Sequence, residues 1–229
     1  MGRHPEDHPS EGEVEVKFNK GGGGHCADRG QSYGSIETAA EGVRAKISPK
    51  LPLTQALAGC QVFERLGLFK VVVDKKTVGL DPAVSKVPEG VEALSLYWRE
   101  KNVIVVALSE QTYGRLEEDD YRARFSVYHE VGHAVLHPGE LLRRALMSHN
   151  AAAFYRGEPR EHPLFMDTEW QANSFAGAML MPAKGLAELE RQKGRLTTIM
   201  VQRAFRVSSE AALIRLKIYN SRKDELLGT

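Results

Sequence analysis

Hydrophobic positions recur with helical spacing in several stretches of the chain. Residues 36–47 place their apolar side chains on one side of a helix, and two prolines follow. Residues 53–66 fit a second helix, which a glycine ends. Residues 183–222 fit two or three further short helices. The pattern therefore predicts helices before and after the central part of the chain.

Three short apolar runs have the character of β-strands instead. Residues 68–73 are rich in β-branched side chains, and residues 94–98 form a second run. The third run, residues 103–108, is almost entirely Val, Ile, Ala and Leu, which is typical of a well-buried strand. The polar residues 99–102 between the last two runs predict a hairpin turn.

The centre of the chain predicts two longer helices. An N-cap at Asp119 or Asp120 begins the first helix, which runs to about His137 and stops at a Pro-Gly pair. Residues 140–166 are mixed and contain prolines, so a loop is expected there. Asp167 is expected to cap the second helix.

Composition limits the classes of protein to consider. The 42% hydrophobic content suits a folded domain, and the net charge of +1 points neither to nucleic acid nor to a membrane surface. Two cysteines are too few for a disulfide scaffold or a thiolate zinc site, and they agree with a reducing, cytoplasmic setting. No signal peptide and no apolar stretch long enough for a membrane span are found in the sequence. Residues 1–35 are rich in glycine, proline and charge and are expected to be a flexible tail.

One motif in the first central helix carries the chemistry. His129, Glu130 and His133 form an H-E-x-x-H pattern. On a helix, residues four apart lie on one face, so both imidazoles can bind one metal ion. Glu130 projects beside them and can act as a general base on a metal-activated water. The alternative, a surface helix with two solvated histidines, is disfavoured by the apolar stripe of the same helix.

A catalytic zinc needs a third protein ligand. Leu136 and Gly139 exclude the longer H-E-x-x-H-x-x-G-x-x-H pattern. The helix rotates His137 away from the shared centre, which favours a capping or supporting role for it. Glu169 is the better candidate, with Asn173 one turn later placed to bond the far nitrogen of a ligand histidine. The alternative is that Glu169 only interacts with its own helix dipole.

These residues resemble the M78 metallopeptidases, the ImmA/IrrE family. The resemblance rests on residues 124–137 (RFSVYHEVGHAVLH), residues 169–182 (EWQANSFAGAMLMP) and residues 203–216. It covers roughly residues 36–220, and two long motifs in the right order make it far more specific than H-E-x-x-H alone. Tyr128 departs from the family, in which this position is often small, so the packing behind the site is expected to differ.

The resemblance implies a fold, a domain plan and an activity. The fold would be α+β, with a zincin-like core of a small mixed sheet and active-site helices over residues 36–182. A C-terminal helical, helix-turn-helix-like subdomain would follow over residues 183–229. The activity would be that of an intracellular endopeptidase that cuts a helix-turn-helix repressor and so activates stress-response or mobile-element genes. His129, His133 and Glu169 would bind the metal, and Glu130 would be the base.

Several finer points stay open at this stage. The metal could be zinc or manganese, because two histidines and a glutamate can hold either. Tyr155, His149 and His162, in the expected loop, are candidates for helping to stabilise the oxyanion or bind substrate, although each also fits a plain surface residue.

The C-terminal part has a local excess of positive charge. Residues 191–223 contain nine Lys or Arg and one acidic residue. Such helices could contact DNA or an acidic protein, or they could pack on the core with their charges solvated. An alternative function follows: a DNA- or protein-binding regulator, or a partner in a toxin–antitoxin or phage-defence pair, with a structural or vestigial metal site. The intact Glu130 argues against it, since a structural site needs no base.

Overall fold

The apolar run at residues 103–108 lies in the middle of a four-stranded mixed sheet. The structure, a computed structural model, describes residues 25–147 and 162–229. Its strands are β1 (Lys70–Val73), β2 (Lys76–Val84), β3 (Ala93–Trp98) and β4 (Val103–Leu108). Their order is β1-β2-β4-β3. Strands β2 and β4 are parallel, and the two outer strands are antiparallel to their neighbours.

Strand β4 is covered on both faces, which explains its uninterrupted apolar sequence. Ile104, Val106 and Leu108 belong to the main core. Val105 and Ala107 belong to a smaller apolar cluster with residues of β3. The prediction of a well-buried strand is confirmed.

The hairpin between β3 and β4 is confirmed as well. Asn102 adopts a left-handed backbone conformation, with φ of 53°, which asparagine tolerates better than most residues. Its side-chain oxygen accepts a hydrogen bond from the Tyr97 hydroxyl at 2.9 Å, and its amide nitrogen donates to the Thr77 carbonyl at 3.2 Å. The turn is therefore tied to both neighbouring strands.

Strand β2 was not predicted from the sequence. It contains Gly79 and Pro82, and both residues are unfavourable within strands. Strand β1 pairs only with residues 76–79 of β2. Pro82 therefore lies in the part of β2 whose ladder partner is β4 alone, where a missing amide donor is tolerated.

Helices pack against the sheet and against one another. In the described ranges they are α1 (Tyr33–Ile47), α2 (Gly59–Glu64), α3 (Glu110–Glu117), α4 (Tyr121–Leu136), α5 (Pro138–Met147), α6 (Thr168–Leu180), α7 (Ala183–Lys193), α8 (Thr198–Phe205), α9 (Ser209–Ser221) and α10 (Lys223–Leu227). Helices α4 and α6 are the two long central helices that the sequence predicted. Their N-caps are Asp120 and Asp167, as expected.

The second predicted helix, residues 53–66, forms only as the short helix α2. In the segment before it, backbone carbonyls bind side chains instead of helical amides. The Gln55 carbonyl accepts from Arg44, and the Leu57 carbonyl accepts from the Tyr128 hydroxyl at 2.7 Å. Tyr128 is fully buried, and this burial raises its pKa to about 12. The large side chain at this position thus packs the α2 region against α4.

Helix α5 corrects the expectation of a loop after residue 139. The sequence Pro138-Gly139 suggested a stop, but Pro138 is the first residue of the new helix. Proline is favoured at this position because its missing amide hydrogen would have no helical partner there. The chain therefore ends one helix at residue 136 and begins another almost at once.

Residues 25–31, called here the N-terminal strap, also differ from the expected flexible tail. Backbone hydrogen bonds join the strap to the chain just before and at the start of α6. These run from Ala27 N to Met166 O at 2.7 Å, from Gln31 N to Phe165 O at 2.9 Å, and from Thr168 N to His25 O at 3.0 Å. Helix α1 follows directly, capped by Ser32. The prediction of a flexible tail through residue 35 is therefore wrong for residues 25–35. Residues 1–24 lie outside the described part of the chain.

Helices α4 and α6 approach each other closely at Gly132. A Cβ atom added at Gly132 would lie 3.1 Å from the Ala172 Cα, 3.2 Å from the Ala172 carbonyl oxygen and 3.2 Å from the Phe175 Cβ. The neighbours are backbone and a fully buried side chain, so they have little freedom to move. A glycine facing an alanine sets the distance between the helices.

Helix α6 is held at its C-terminal end by two buried arginines. Arg44 donates to the Met179 carbonyl at 3.0 Å, and Arg215 donates to the Met181 carbonyl at 2.8 Å. Both side chains therefore meet the partial negative charge of a helix C-terminus. Arg215 also pairs with buried Glu37. These contacts fix α6 between α1 and α9.

The C-terminal helices share the main core with the rest of the chain. Val201, Phe205, Leu216 and Tyr219 belong to the same buried cluster as the residues of α1, β4 and α4. Arg124 of α4 is fully buried and donates to the Arg206 carbonyl at 2.8 Å. Helices α8 and α9 are joined by a short turn at residues 206–208, in which Arg206 is left-handed.

Much of the positive charge in this region is neutralised locally. Five of the nine cations of residues 191–223 make ion pairs: Arg191 with Glu188, Arg206 with Asp119, Arg215 with Glu37, Arg222 with Glu225, and Lys223 with Glu190. This supports packing on the core as one use of these charges. Contact with DNA stays a prediction.

The α+β fold class is confirmed by the small mixed sheet and its surrounding helices. Among the described residues, each helix is too short or too polar to pass through a bilayer. The division at residue 182 between two domains stays a prediction.

The close contact at Gly132 predicts a position-specific loss of stability. We expect Gly132→Val to lower the free energy of unfolding by about 1–3 kcal/mol, because the added methyl groups overpack the α4–α6 contact. Gly177→Val is the matched control, since a Cβ at Gly177 of α6 meets nothing within 4 Å. Urea unfolding of both metal-free variants makes the comparison. Equal losses at the two positions would contradict the proposed role of Gly132.

Candidate metal centre

Two histidines of α4 point into one small space. His129 and His133 are separated by one helical turn, and both are buried, at 8% and 1% exposure. Their Nε2 atoms lie 3.0 Å apart. The start of α4 is fixed by Asp120, whose side chain accepts from the Ala123 amide at 2.8 Å. The i, i+4 spacing thus brings the two imidazoles together, as the sequence predicted.

Glu169 enters the same space from the first turn of α6. Its carboxylate oxygens lie 3.4 Å from His129 Nε2 and 3.1 Å from His133 Nε2. Asp167 caps the helix by accepting from the Trp170 amide at 2.7 Å. The glutamate therefore makes specific contacts with both histidines in addition to any favourable interaction with the helix dipole.

The three side chains fit a zinc ion in both chemistry and size. Tetrahedral bonds of about 2.0–2.1 Å place two ligand atoms about 3.3 Å apart. The separations among His129, His133 and Glu169 are 3.0, 3.1 and 3.4 Å. Two imidazoles and one carboxylate are also a donor set of catalytic zinc sites. Within residues 25–147 and 162–229, this is the one cluster of such side chains with ligand atoms close enough to share a metal ion.

The electrostatics of the cluster favour an ionised carboxylate. Burial alone would raise the pKa of Glu169, but hydrogen bonds to His129 and His133 hold it well below its usual range. Burial alone would lower the pKa of His129, yet the Glu169 hydrogen bond and the charge of Glu130 raise it. The pocket thus keeps Glu169 ionised, and an ionised carboxylate can bind a cation.

Asn173 lies where the sequence analysis expected it. Its side-chain oxygen is 2.9 Å from His129 Nδ1. An oxygen acceptor there calls for a hydrogen on Nδ1, which makes Nε2, on the side of the cluster, the nitrogen that a metal ion can bind. A supporting role for Asn173 in metal binding remains a prediction that this contact favours.

His137 contacts His133 and is the C-cap of α4. Its Nδ1 lies 3.0 Å from His133 Nδ1, and its Nε2 lies 2.9 Å from the side-chain oxygen of Gln171. Burial, followed by the charge of His133, lowers the pKa of His137 to about 3. Sequence reasoning placed His137 beside the site but missed Gln171. No motif signals Gln171, because its partners come from distant parts of the chain.

Glu130 occupies the position of the candidate base. It is half-buried, and its negative charge acts on the neighbouring His129. Its backbone carbonyl accepts from the Ser95 hydroxyl of β3 at 2.8 Å. Strand β3 is therefore fastened against the ligand-bearing turn of α4.

His162, one of the three weaker candidates, is not part of the cluster. His162 lies beside the N-cap of α6, with its Nε2 3.3 Å from an Asp167 carboxylate oxygen. His149 and Tyr155 lie outside the described residues. A role in oxyanion stabilisation stays a prediction for all three.

A cavity of about 190 Å³ opens beside the cluster. Phe125 and Asn173, which both contact His129, form part of its lining. Ile214 and Ile218 of α9 also line it. The cavity is thus built jointly by the ligand-bearing helices and the C-terminal helices.

Comparison with known protein families gives a match. The model of the family Peptidase M78, described as the IrrE N-terminal-like domain, matches residues 86–217. This range is more than half of the 229 residues and contains His129, His133 and Glu169. No curated protein matches the chain.

Metal content provides the direct check of this site. We expect about one zinc per chain in the wild type and in Glu130→Gln, because Glu130 is not one of the three ligands. Glu169→Ala should bind zinc more weakly, since it removes one ligand and the negative charge. Mass spectrometry of the purified proteins after zinc loading and dialysis measures all three. A wild type that retains no metal would refute the assignment.

Proposed function

The chain belongs to the M78 peptidase family, and from this premise we propose that it is a zinc-dependent endopeptidase whose substrate is a helix-turn-helix repressor. One observation carries the proposal: His129 and His133 of α4 converge with Glu169 of α6, and Glu130 lies next to the first of them. A site with three protein ligands leaves a coordination position for water or substrate, as in catalytic zinc sites. Manganese could occupy the same ligand set.

The reaction is hydrolysis of a peptide bond. When bound, zinc lowers the pKa of a coordinated water to about 7 and polarises a carbonyl. Glu130 accepts a proton from the attacking water at a carboxylate oxygen and delivers it to the nitrogen of the leaving amine. Asn173 keeps His129 in one orientation through the 2.9 Å contact at Nδ1.

The edge of the sheet offers a place for the substrate backbone. Strand β3 is the outer strand beside α4, and Ser95 fastens it to Glu130. An extended peptide can add to such an edge through main-chain hydrogen bonds. The cavity at Phe125 and Asn173 can then accept an apolar side chain of the bound peptide.

The repressor substrate is inferred from the resemblance to the ImmA/IrrE peptidases. Cleavage of such a repressor would activate stress-response or mobile-element genes. The alternative, a DNA- or protein-binding regulator with a structural metal site, is less well supported, because several C-terminal cations are already paired with acidic residues. A structural site would also give no role to Glu130.

Comparison of wild type with Glu130→Gln tests the proposal. We expect bacterial cells that express the wild type to accumulate a new N-terminus within a helix-turn-helix repressor. With purified proteins, Glu130→Gln should cut that repressor about 10²–10⁴-fold more slowly, because the general base is lost. N-terminal labelling with mass spectrometry finds the cleavage site, and gel electrophoresis follows the rate.

Two controls make the result specific. Glu130→Gln must retain its zinc, which shows that the loss is chemical. Glu117→Gln changes an acidic residue of α3 that is not part of the cluster and should cut at the wild-type rate. If wild type and Glu130→Gln generate the same N-termini in cells, the peptidase proposal is wrong.

A further inference from the structure

Gln171 is held in one orientation by two backbone carbonyls. The side chain is fully buried, and its Nε2 donates to Arg29 O at 3.0 Å and to Phe165 O at 2.8 Å. A carbonyl can only accept, so the nitrogen of the amide must face these two groups. The amide oxygen consequently faces His137 Nε2, at 2.9 Å.

This orientation determines which nitrogen of His137 carries hydrogen. The Gln171 oxygen can only accept, so His137 Nε2 must be the donor. In the neutral ring, Nδ1 then has a free lone pair and can only accept. Its neighbour at 3.0 Å is Nδ1 of His133, which must therefore carry hydrogen. With hydrogen on Nδ1, Nε2 is the nitrogen of His133 that a metal ion can bind, and it lies 3.1 Å from a Glu169 carboxylate oxygen.

We propose that Gln171 and His137 are positioning residues that fix His133 in its metal-binding tautomer, and that the N-terminal strap holds them in place. The hydrogen-bonded chain from Gln171 through His137 to His133 is called here the relay. The inference rests on the proposed metal site. It adds a condition for metal binding beyond the three ligands: residues 25–31 must be bound in place for His133 to present Nε2 to the metal.

The two ligand histidines are supported in different ways. His129 is oriented by one direct contact with Asn173, which lies on the same helix as Glu169. His133 depends on a chain of two side chains and on the two carbonyls that orient Gln171, at positions 29 and 165. Position 29 precedes the residues 86–217 that match the family. The support for His133 therefore includes a part of this chain outside the family domain.

The strap is seated by side-chain contacts as well as by its backbone pairing. The Asp28 amide donates to a carboxylate oxygen of Glu140 at 2.6 Å, and the Asp28 carboxylate pairs with Arg143 at 2.6 Å. The His25 amide donates to the Thr168 hydroxyl at 3.0 Å. The strap thus contacts both α5 and the start of α6.

Nuclear magnetic resonance of the metal-free full-length protein, labelled with ¹⁵N at histidine, tests the tautomers directly. We expect long-range ¹H–¹⁵N spectra to show hydrogen on Nε2 of His137 and on Nδ1 of His133. In Gln171→Leu, His137 should lose its single form and give a mixture. Hydrogen on Nδ1 of His137 in the wild type would overturn the proposal.

Zinc affinity tests the consequence for the site. We expect His137→Leu and Gln171→Leu to weaken zinc binding by about 10–100-fold, the usual effect of removing such a supporting contact. His137→Asn is the matched control, because its Oδ1 can take the place of Nδ1 as acceptor, so it should bind zinc at least several-fold more tightly than His137→Leu. Competition with a chromophoric chelator measures the affinities, and circular dichroism verifies folding. Wild-type affinity in His137→Leu would refute the relay.

The strap has its own test. Asp28→Ala should also weaken zinc binding, because it removes the ion pair with Arg143 that helps to hold residues 25–31 in place. Asp224→Ala, at an exposed acidic residue of α10, is the control and should bind zinc like the wild type. Equal affinities for the two variants would contradict the role of the strap. None of these measurements uses peptide cleavage. If the tautomers and the zinc affinities are as expected but the protein has no peptidase activity, only the proposed function is refuted.

Discussion

The candidate metal site depends on how closely α4 and α6 approach each other. His129 and His133 belong to one helix and Glu169 to the other, and their ligand atoms lie 3.0–3.4 Å apart. A displacement of about 1 Å between the helices would exceed the tolerance of about ±0.2 Å expected for metal–ligand distances. Gly132 permits the required approach, because a Cβ there would meet the Ala172 backbone at 3.1 Å. The glycine of the H-E-x-x-H segment thus serves the geometry of the ligands.

Close packing alone does not determine where α6 lies along its axis. That position is also fixed by polar contacts that are buried or nearly so. At the C-terminal end, Arg44 and Arg215 donate to the Met179 and Met181 carbonyls. Removing such cations from water is costly, and burial lowers the pKa of Arg44. The cost is offset only where the carbonyl acceptors are correctly placed, so these arginines favour one position of the helix over others.

The sequence predicted the parts of the molecule that local patterns determine. Helical periodicity with an aspartate cap located α4, and the i, i+4 spacing placed His129 and His133 together. The uninterrupted apolar run predicted β4. The failures occurred where a local signal fits two structures or where tertiary contacts override local preference. Pro138 begins a helix although a Pro-Gly pair suggested a stop, and β2 accepts Pro82 because only one neighbouring strand pairs with it there.

The same distinction applies to the residues of the site: local patterns predicted some of them, and contacts between distant parts of the chain define the others. Glu169 and Asn173 are one turn apart on α6, so a helical pattern together with the H-E-x-x-H motif was sufficient to suggest both. Gln171 could not be found in this way, because its function is defined by a carbonyl at position 29 and by His137, 142 and 34 residues away.

The N-terminal strap was expected to be flexible for a related reason. Its composition is poor in large apolar residues, and flexibility is the correct expectation when a segment has little apolar surface to bury. Backbone pairing with residues 165–168 supplies the missing stabilisation instead. A segment of this kind is ordered by its partner, so its order depends on whether α6 is in place. The ligand helix and the strap consequently stabilise each other, which connects the first described residues of the chain to the geometry of the metal ligands.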